Sequence, residues 1–418
     1  MNLIKVSFYN GVSVIIKMLT MLGLNKVLAV YVGPGGYAII GQFQSFVQTL
    51  ATFSAGSIAN GITKYTAQNA NEEKELIVVW KTAGTVSIVS SLFVSIIILI
   101  FFKDINAVFF HGKIDNNLSF WLAGSFVFMM LNSYLMAILN GMKAIKAYVF
   151  LNISSSLLVL VVTGFFAFTM GLKGALIALT LNQSLNFIIT FSYFIKQKWF
   201  KVRFLVGNLN KAIVKGLGRF AFMALFSSLA VPFTQMFLRS YIGANISWDV
   251  SGYWEAINRI STINIMLATT TLTLYYLPKL SETNEKRGYK HELISISKLL
   301  VPVTAVGCFC VFYLKDYIVN ILFTPSFINM SPLFGWQMVG DFFKVLSWMF
   351  SFALLTKEKW KAFIVCEILS ALVLIMSTII IVHSMSWHYL SLAYAVTYFI
   401  YLLLTSVFFY QSIYKKAF

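Results

Sequence analysis

The chain has 418 residues, 59% of them hydrophobic and only 11% charged, with a mean hydropathy of +0.80, a composition that excludes a water-soluble globular domain. At about 20 apolar residues per spanning helix, the length holds about twelve membrane crossings with short connections and leaves no room for a soluble catalytic domain. The formal charge of +18 would point to nucleic acid in a soluble protein, but here it serves orientation and contact with anionic membrane lipids, so no nucleic-acid partner is expected.

In chain order the apolar segments run over 7–31, 36–63, 78–102, 118–141, 147–170, 173–195, 212–239, 249–277, 294–314, 331–356, 360–383 and 387–412, which predicts an all-α integral membrane protein of twelve transmembrane helices. Asn10 and Lys17 interrupt the first apolar run and no small-residue cleavage site follows, so it reads as a permanent first helix and not as a signal peptide. The connections alternate between basic and nearly neutral. One side holds 21 Lys and Arg, namely Lys5, Lys64, Lys74, Lys81, Lys143, Lys146, the six between Lys196 and Lys215, Lys279, Lys286, Arg287, Lys290, Lys357, Lys359, Lys361, Lys415 and Lys416. The other side holds five: Lys103, Lys113, Lys173, Arg239 and Lys315. The basic side is cytoplasmic by the positive-inside rule, so both termini are expected in the cytoplasm.

Cys308, Cys310 and Cys366 lie within spans without a CxxC spacing, and Cys308 and Cys310 point to different faces of one helix. The four histidines show no i,i+4 pairing, so neither metal nor cofactor is expected. The run Gly56-Ser57-Ile58-Ala59-Asn60-Gly61-Ile62-Thr63-Lys64 has Ile where a phosphate loop needs Lys, which argues against an ATPase.

A faint internal repeat is visible: Gly36-Tyr37 recurs as Gly252-Tyr253, 216 residues on. The longest basic connection lies between the two copies. The expected organisation is therefore an N-terminal six-helix bundle, 1–195, a cytoplasmic linker, 196–211, and a C-terminal six-helix bundle, 212–418, related by a pseudo-two-fold axis along the membrane normal.

Ionisable residues at membrane depth carry the sharpest signal, because each costs about 2.5–3.5 kcal/mol at the bilayer centre even on the lenient scale. Lys17, Lys26, Arg219, Arg259, Lys298 and Lys344 are the cations left within spans, against the acids Glu255, Asp341 and Glu367. Arg219 and Lys298 lie close enough to the cytoplasmic ends to snorkel. Lys17 stands roughly 16 Å along its helix, near the midplane. Glu255 and Arg259 are spaced i,i+4, and Asp341 and Lys344 i,i+3, each as a candidate ion pair. Such pairs can be structural glue, or they can place cations against an anionic headgroup while a carboxylate exchanges a proton. Along span 2, Gly41, Ser45, Gln48, Thr52, Gly56, Ala59 and Thr63 share one face, which fits either close helix packing or a cavity lined by hydroxyls and amides. Pro232 and Pro302 are candidate kinks.

Several stretches resemble the O-antigen and lipid-linked oligosaccharide flippases, the polysaccharide branch of the multidrug/oligosaccharidyl-lipid/polysaccharide exporter superfamily, including its lipid III flippases. They are Lys17 and Lys26 with Leu28-Ala29-Val30 before Gly33-Pro34; Asn60-Gly61-Ile62-Thr63-Lys64-Tyr65 with Ala67-Gln68; Ser247-Trp248-Asp249; and Trp336-Gln337 followed by Gly340-Asp341 and Lys344. The resemblance implies two six-helix bundles of the kind found in multidrug exporters, around a cationic cavity that moves undecaprenyl-diphosphate-linked oligosaccharide between leaflets without enzymatic chemistry. It carries over to Lys17, Lys26, Lys64, Asp341, Lys344 and Glu367. Glu255 and Arg259 depart from the lipid III pattern and imply a different repeat unit, as for an O-antigen. The expected site therefore comprises Lys17, Lys26, Lys64, Arg259, Lys344 and Gln48 for the diphosphate and glycan, with Asp341, Glu255 and Glu367 for coupling or gating. A polymerase and a chain-length regulator of the same pathway are candidate partners. The alternatives are a cation-coupled multidrug exporter, which would favour acids in its cavity, and an O-antigen polymerase, which would need a large outer loop.

Overall fold

The computed structural model describes residues 3–54, 58–70, 72–282, 286–356 and 359–414. Gly56, Lys357, Lys415 and Lys416 lie outside the described residues, as do the side chains of Lys5, Arg219, Lys286 and Arg287. Among the described residues every regular element is helical. Among these residues, eight helices are long and apolar enough to cross a membrane. Two of them hold more than one crossing. Helix α1 (Leu3–Phe53) bends at Gly33 (φ 70°), and α5 (Ile145–Ile195) at Gly171 (φ 57°, ψ −135°), backbone positions that suit glycine because it lacks a Cβ. At 1.5 Å per residue, a 51-residue helix would span about 76 Å, far beyond a hydrocarbon core of about 30 Å. Splitting both at their glycines, and counting α6 (Lys211–Asn245) and the broken run 248–282, gives the twelve segments read from hydropathy.

The chain folds as two compact units: residues 1–32 with 39–236, and residues 33–38 with 237–418. In the first unit, α2 (Ala59–Gln68) follows the end of α1, so the second apolar segment is not one helix through 63 as its hydropathy predicts. Helix α3 (Glu73–Phe110) starts with Glu73 and Glu75 at its positive dipole end and closes through a left-handed His111 and Gly112. Helix α4 (Leu118–Gly141) is followed by a left-handed Lys143. Residues 196–211, expected as a cytoplasmic linker, pack on α3. Gly207 N donates to Thr85 Oγ1 at 3.0 Å, and the rings of Trp199 and Phe204 pack at a tilt against Trp80. A Cβ at Gly84 would come within 2.1 Å of Leu205 O, so only glycine permits that approach.

The second unit contains α7 (Trp248–Asn264), capped by Ser247 accepting from Val250 N, then α8 (Met266–Thr271), a π-helical turn at 272–276 and α9 (Leu277–Glu282). It continues with α10 (Lys286–Tyr313), α11 (Lys315–Leu322), a 3₁₀ segment (Pro325–Leu333), α12 (Phe334–Thr356), α13 (Trp360–Ser384) and α14 (Leu390–Tyr414). The turn 33–38 lies against α7, where a Cβ on Gly252 would stand 1.9 Å from Pro34 O. Both tyrosines of the internal repeat, Tyr37 and Tyr253, pack edge-on against Phe327. Pro232 and Pro302 lie inside α6 and α10, whereas the sharp breaks fall at glycines and at Ile265. Ile265, Leu272, Tyr276, Val345 and Met349 belong to one buried apolar cluster that holds this broken run against α12.

Candidate functional site

The charged and hydroxylated residues of the second unit form a ladder built from α6, α7, α12, α13 and α14. At its first level the Glu255 carboxylate lies between two guanidinium groups. Arg239 Nη1 is 2.5 Å from Oε2, and Arg259 Nε is 2.7 Å from Oε1. Arg239 is 3% exposed, so the hydropathy-based placement of this residue in an outer loop is corrected. Helix α6 runs on to Asn245, and Ser251 Oγ donates to the Arg239 carbonyl at 3.0 Å. The Arg259 guanidinium carbon also sits 4.7 Å from the Tyr37 ring centroid, a cation–π contact. Two cations around one carboxylate leave a net charge of about +1 in a buried place, where a third charge of negative sign is welcome.

At the next level, Asp341 is fully buried. Its carboxylate accepts from Ser261 Oγ, from Tyr394 Oη at 3.1 Å and from Asn264 Nδ2 at 3.3 Å. The i,i+3 ion pair with Lys344 does not form among the described residues. Tyr394 stands between the two, accepting from Lys344 Nζ at 3.1 Å while donating to Asp341. The physical reason is the close seating of α14 on α12, where a Cβ on Gly340 would come within 2.3 Å of Tyr394 Cδ1. The Lys344 ammonium lies 4.7–5.3 Å from the ring centroids of Trp348, Tyr394 and Tyr398, an aromatic cage. At the last level, Tyr401 Oη donates to Glu367 Oε1 at 2.6 Å and lies 3.1 Å from Ser351 Oγ. Arg259, Glu255, Asp341, Lys344 and Glu367 thus lie in one unit and along one ladder.

The remaining predicted residues belong to the first unit. Lys17 is exposed on α1, Lys26 is half-buried, Gln48 is exposed, and Lys64 is exposed on α2. Gln42 went unnoticed in the sequence, yet it is buried and donates to Phe109 O at 3.1 Å and Met236 O at 3.0 Å. Its signal was an amide flanked by Ile39, Ile40 and Phe43 within span 2. For Arg239 the signal was the apolar run continuing past it to Gly243. Tyr394 and Tyr401 carry none, because each is one of several tyrosines within the apolar span 387–412. Cys308 is buried and Cys310 exposed, on different faces as read. Outside the spans, Asp115 pairs with Lys173 at 2.8 Å, and the hydrogen bond from Lys173 holds its carboxyl below the ordinary carboxylate range.

The described helices, broken at glycines and at Ile265, build a multi-pass membrane fold, and solved structures agree on it. A multidrug resistance MATE family transporter of the MOP superfamily, in an inward-facing conformation, aligns with a TM-score of 0.80 at 13% identity over 96% of both chains. The lipid II flippase MurJ in an inward closed conformation aligns at 0.69 and 16% identity, over 97% of this chain and 87% of MurJ. A family model described as polysaccharide biosynthesis protein matches residues 3–284, and the chain belongs to that family. It is also 27% identical over 369 residues to the lipid III flippase of Escherichia coli (strain K12), which is 88% of each chain, and matches the lipid III flippase of Shigella flexneri equally.

Proposed function

We propose that this protein is a flippase that moves undecaprenyl-diphosphate-linked oligosaccharide, such as an O-antigen repeat unit, from the cytoplasmic to the periplasmic leaflet of a bacterial inner membrane by ion-coupled alternating access. The observation that carries the reading is the buried Arg239–Glu255–Arg259 cluster with its surplus of positive charge. A diphosphate of about two negative charges and a hydrophilic glycan cannot enter hydrocarbon unpaired, and a preformed cationic site offsets that cost. The family membership and the flippase relatives point the same way. Both termini are cytoplasmic on this reading, and the halves 1–195 and 212–418 alternate about the connection 196–211.

Within it, Lys17, Lys26, Lys64 and Gln48 of the first unit, and Arg259 and Lys344 of the second, contact the diphosphate and glycan. Asp341 and Glu367 take the coupling ion, supported by their having hydroxyl and amide neighbours in place of a direct cation partner. Glu255 positions both arginines, since each of its oxygens is committed. A buried surplus of positive charge is the opposite of what a cationic drug needs. A polymerase and a chain-length regulator are the partners that would receive the product.

The test is complementation of a strain lacking its own flippase, scored for surface polysaccharide beside protein abundance. Lys17→Ala, Arg259→Ala, Asp341→Ala and Lys344→Ala are expected to lose polysaccharide while the protein remains present. Unchanged polysaccharide in all four overturns the site.

A further inference from the structure

Away from the ladder, the second unit carries a groove of about 650 Å³ between α10 and α12, within the size range of ligand sites. Its walls follow helical spacing: Ala305, Phe309 and Phe312 on one side, and Gly335, Val339 and Phe342 on the other. The groove is open because two of these are small. A Cβ on Gly335 would meet nothing closer than Phe312 Cε2 at 3.6 Å. It lies in the half of the membrane away from the basic connections at 279–290 and 357–361, since α10 ends and α12 begins there.

Two features separate this groove from an ordinary lipid-facing surface. At its mouth stands Lys315, half-buried, with Nζ 5.0 Å from the Phe312 ring centroid and paired with no carboxylate among the described residues. Its neighbour Asp316 accepts from Ser331 at 3.1 Å. Its lining includes Cys308 and Met338, whose sulfurs lie 3.5 and 3.8 Å from Asn264 Nδ2, the same nitrogen that donates to Asp341. An apolar chain in the groove would therefore press on the residue that orients the Asp341 carboxylate.

We infer that this groove is the exit dock for the polyprenyl chain of the lipid-linked diphosphate, with Lys315 taking a phosphate oxygen at its mouth. The inference rests on the flippase reading and adds the place where the chain waits after the glycan has crossed. The occupant follows from charge and shape together: an apolar groove with Lys315 at its mouth fits a long hydrocarbon bearing phosphate. Filling the groove also biases Asn264 and Asp341, which ties release of the product to the coupling group.

The full-length protein in nanodiscs, photolabelled with a diazirine-tagged polyprenyl diphosphate and mapped by peptide mass spectrometry, tests this. Adducts are expected within 305–312 and 335–342, competed by untagged polyprenyl diphosphate. Ala305→Phe with Gly335→Leu should lower labelling there at least about tenfold. Lys315→Gln, which leaves the walls intact, should weaken capture of the diphosphate but not of tagged polyprenol. Equal competition by phosphatidylglycerol, or capture unchanged by both variants, overturns the inference. Adducts elsewhere in a protein that still complements also overturn it, and leave the flippase reading standing. Absent labelling in a chain that also fails to complement would bring down both.

Discussion

Removing the Glu255 carboxylate takes from two largely buried guanidinium groups the anion that each touches. Arg239 is 3% and Arg259 13% exposed, and they touch the carboxylate at 2.5 and 2.7 Å. At an effective dielectric of about 20, one such pair is worth about 4 kcal/mol of Coulomb energy. Losing one partner of a buried pair costs a net 3–5 kcal/mol or about that. At about 2–4 °C per kcal/mol for a unit of this size, Glu255→Gln should lower the melting temperature by about 6–20 °C. Scanning fluorimetry in one detergent is the assay. The triple replacement Arg239→Met, Glu255→Met and Arg259→Met strands no charge, so it should recover most of that loss while polysaccharide export stays absent. A melting temperature within about 2 °C of wild type for Glu255→Gln would refute the electrostatic reasoning. Export by the triple variant would refute the functional one.

Tyr394→Phe removes the hydroxyl that joins Lys344 to Asp341; export is expected to fall and its pH dependence to move, with abundance unchanged, and an unaltered pH profile in vesicles would count against the relay. Gly252→Ala drives a Cβ into the Pro34 carbonyl, whereas Gly124 has nothing within 4 Å. Thermal melting should therefore show a large loss for the first and little change, or a gain of up to about 1 kcal/mol, for Gly124→Ala. For Asp115 the folded pKa lies below the usual carboxylate value of 3.8. The stability from its pair with Lys173 is thus fully present above that value and is lost only as pH falls through the depressed one. Lys173→Met should consequently leave melting curves between about pH 5 and pH 8 parallel to wild type; a difference that grows across that window would contradict the assignment.

Hydropathy located the twelve crossings because length and apolarity are fixed by the bilayer, and the i,i+4 spacing of Glu255 and Arg259 located their ion pair. What escaped depends on neighbours distant in sequence. Arg239 sits 16 residues before its partner, and only the continuation of α6 past it makes it buried. The Asp341–Lys344 spacing permits a pair, but Tyr394, 53 residues from Asp341, intervenes because Gly340 lets α14 approach. The connection 196–211 reads as a cytoplasmic linker by charge, and only the structure shows Trp199 and Phe204 packing it on α3 through a contact that needs Gly84. Span 2 reads as one helix since no charge interrupts 36–63, whereas α1 ends at Phe53 and α2 starts at Ala59.

The most direct measurement uses purified protein in proteoliposomes containing a polyprenyl-diphosphate oligosaccharide, with leaflet position read by a membrane-impermeant glycosidase. Wild-type protein should equilibrate the glycan across the bilayer, and Arg259→Gln should leave it in its starting leaflet. Equal movement by both proteins, or none by the wild type while a cationic dye is extruded, would contradict the claim that the buried positive charge receives a lipid-borne diphosphate.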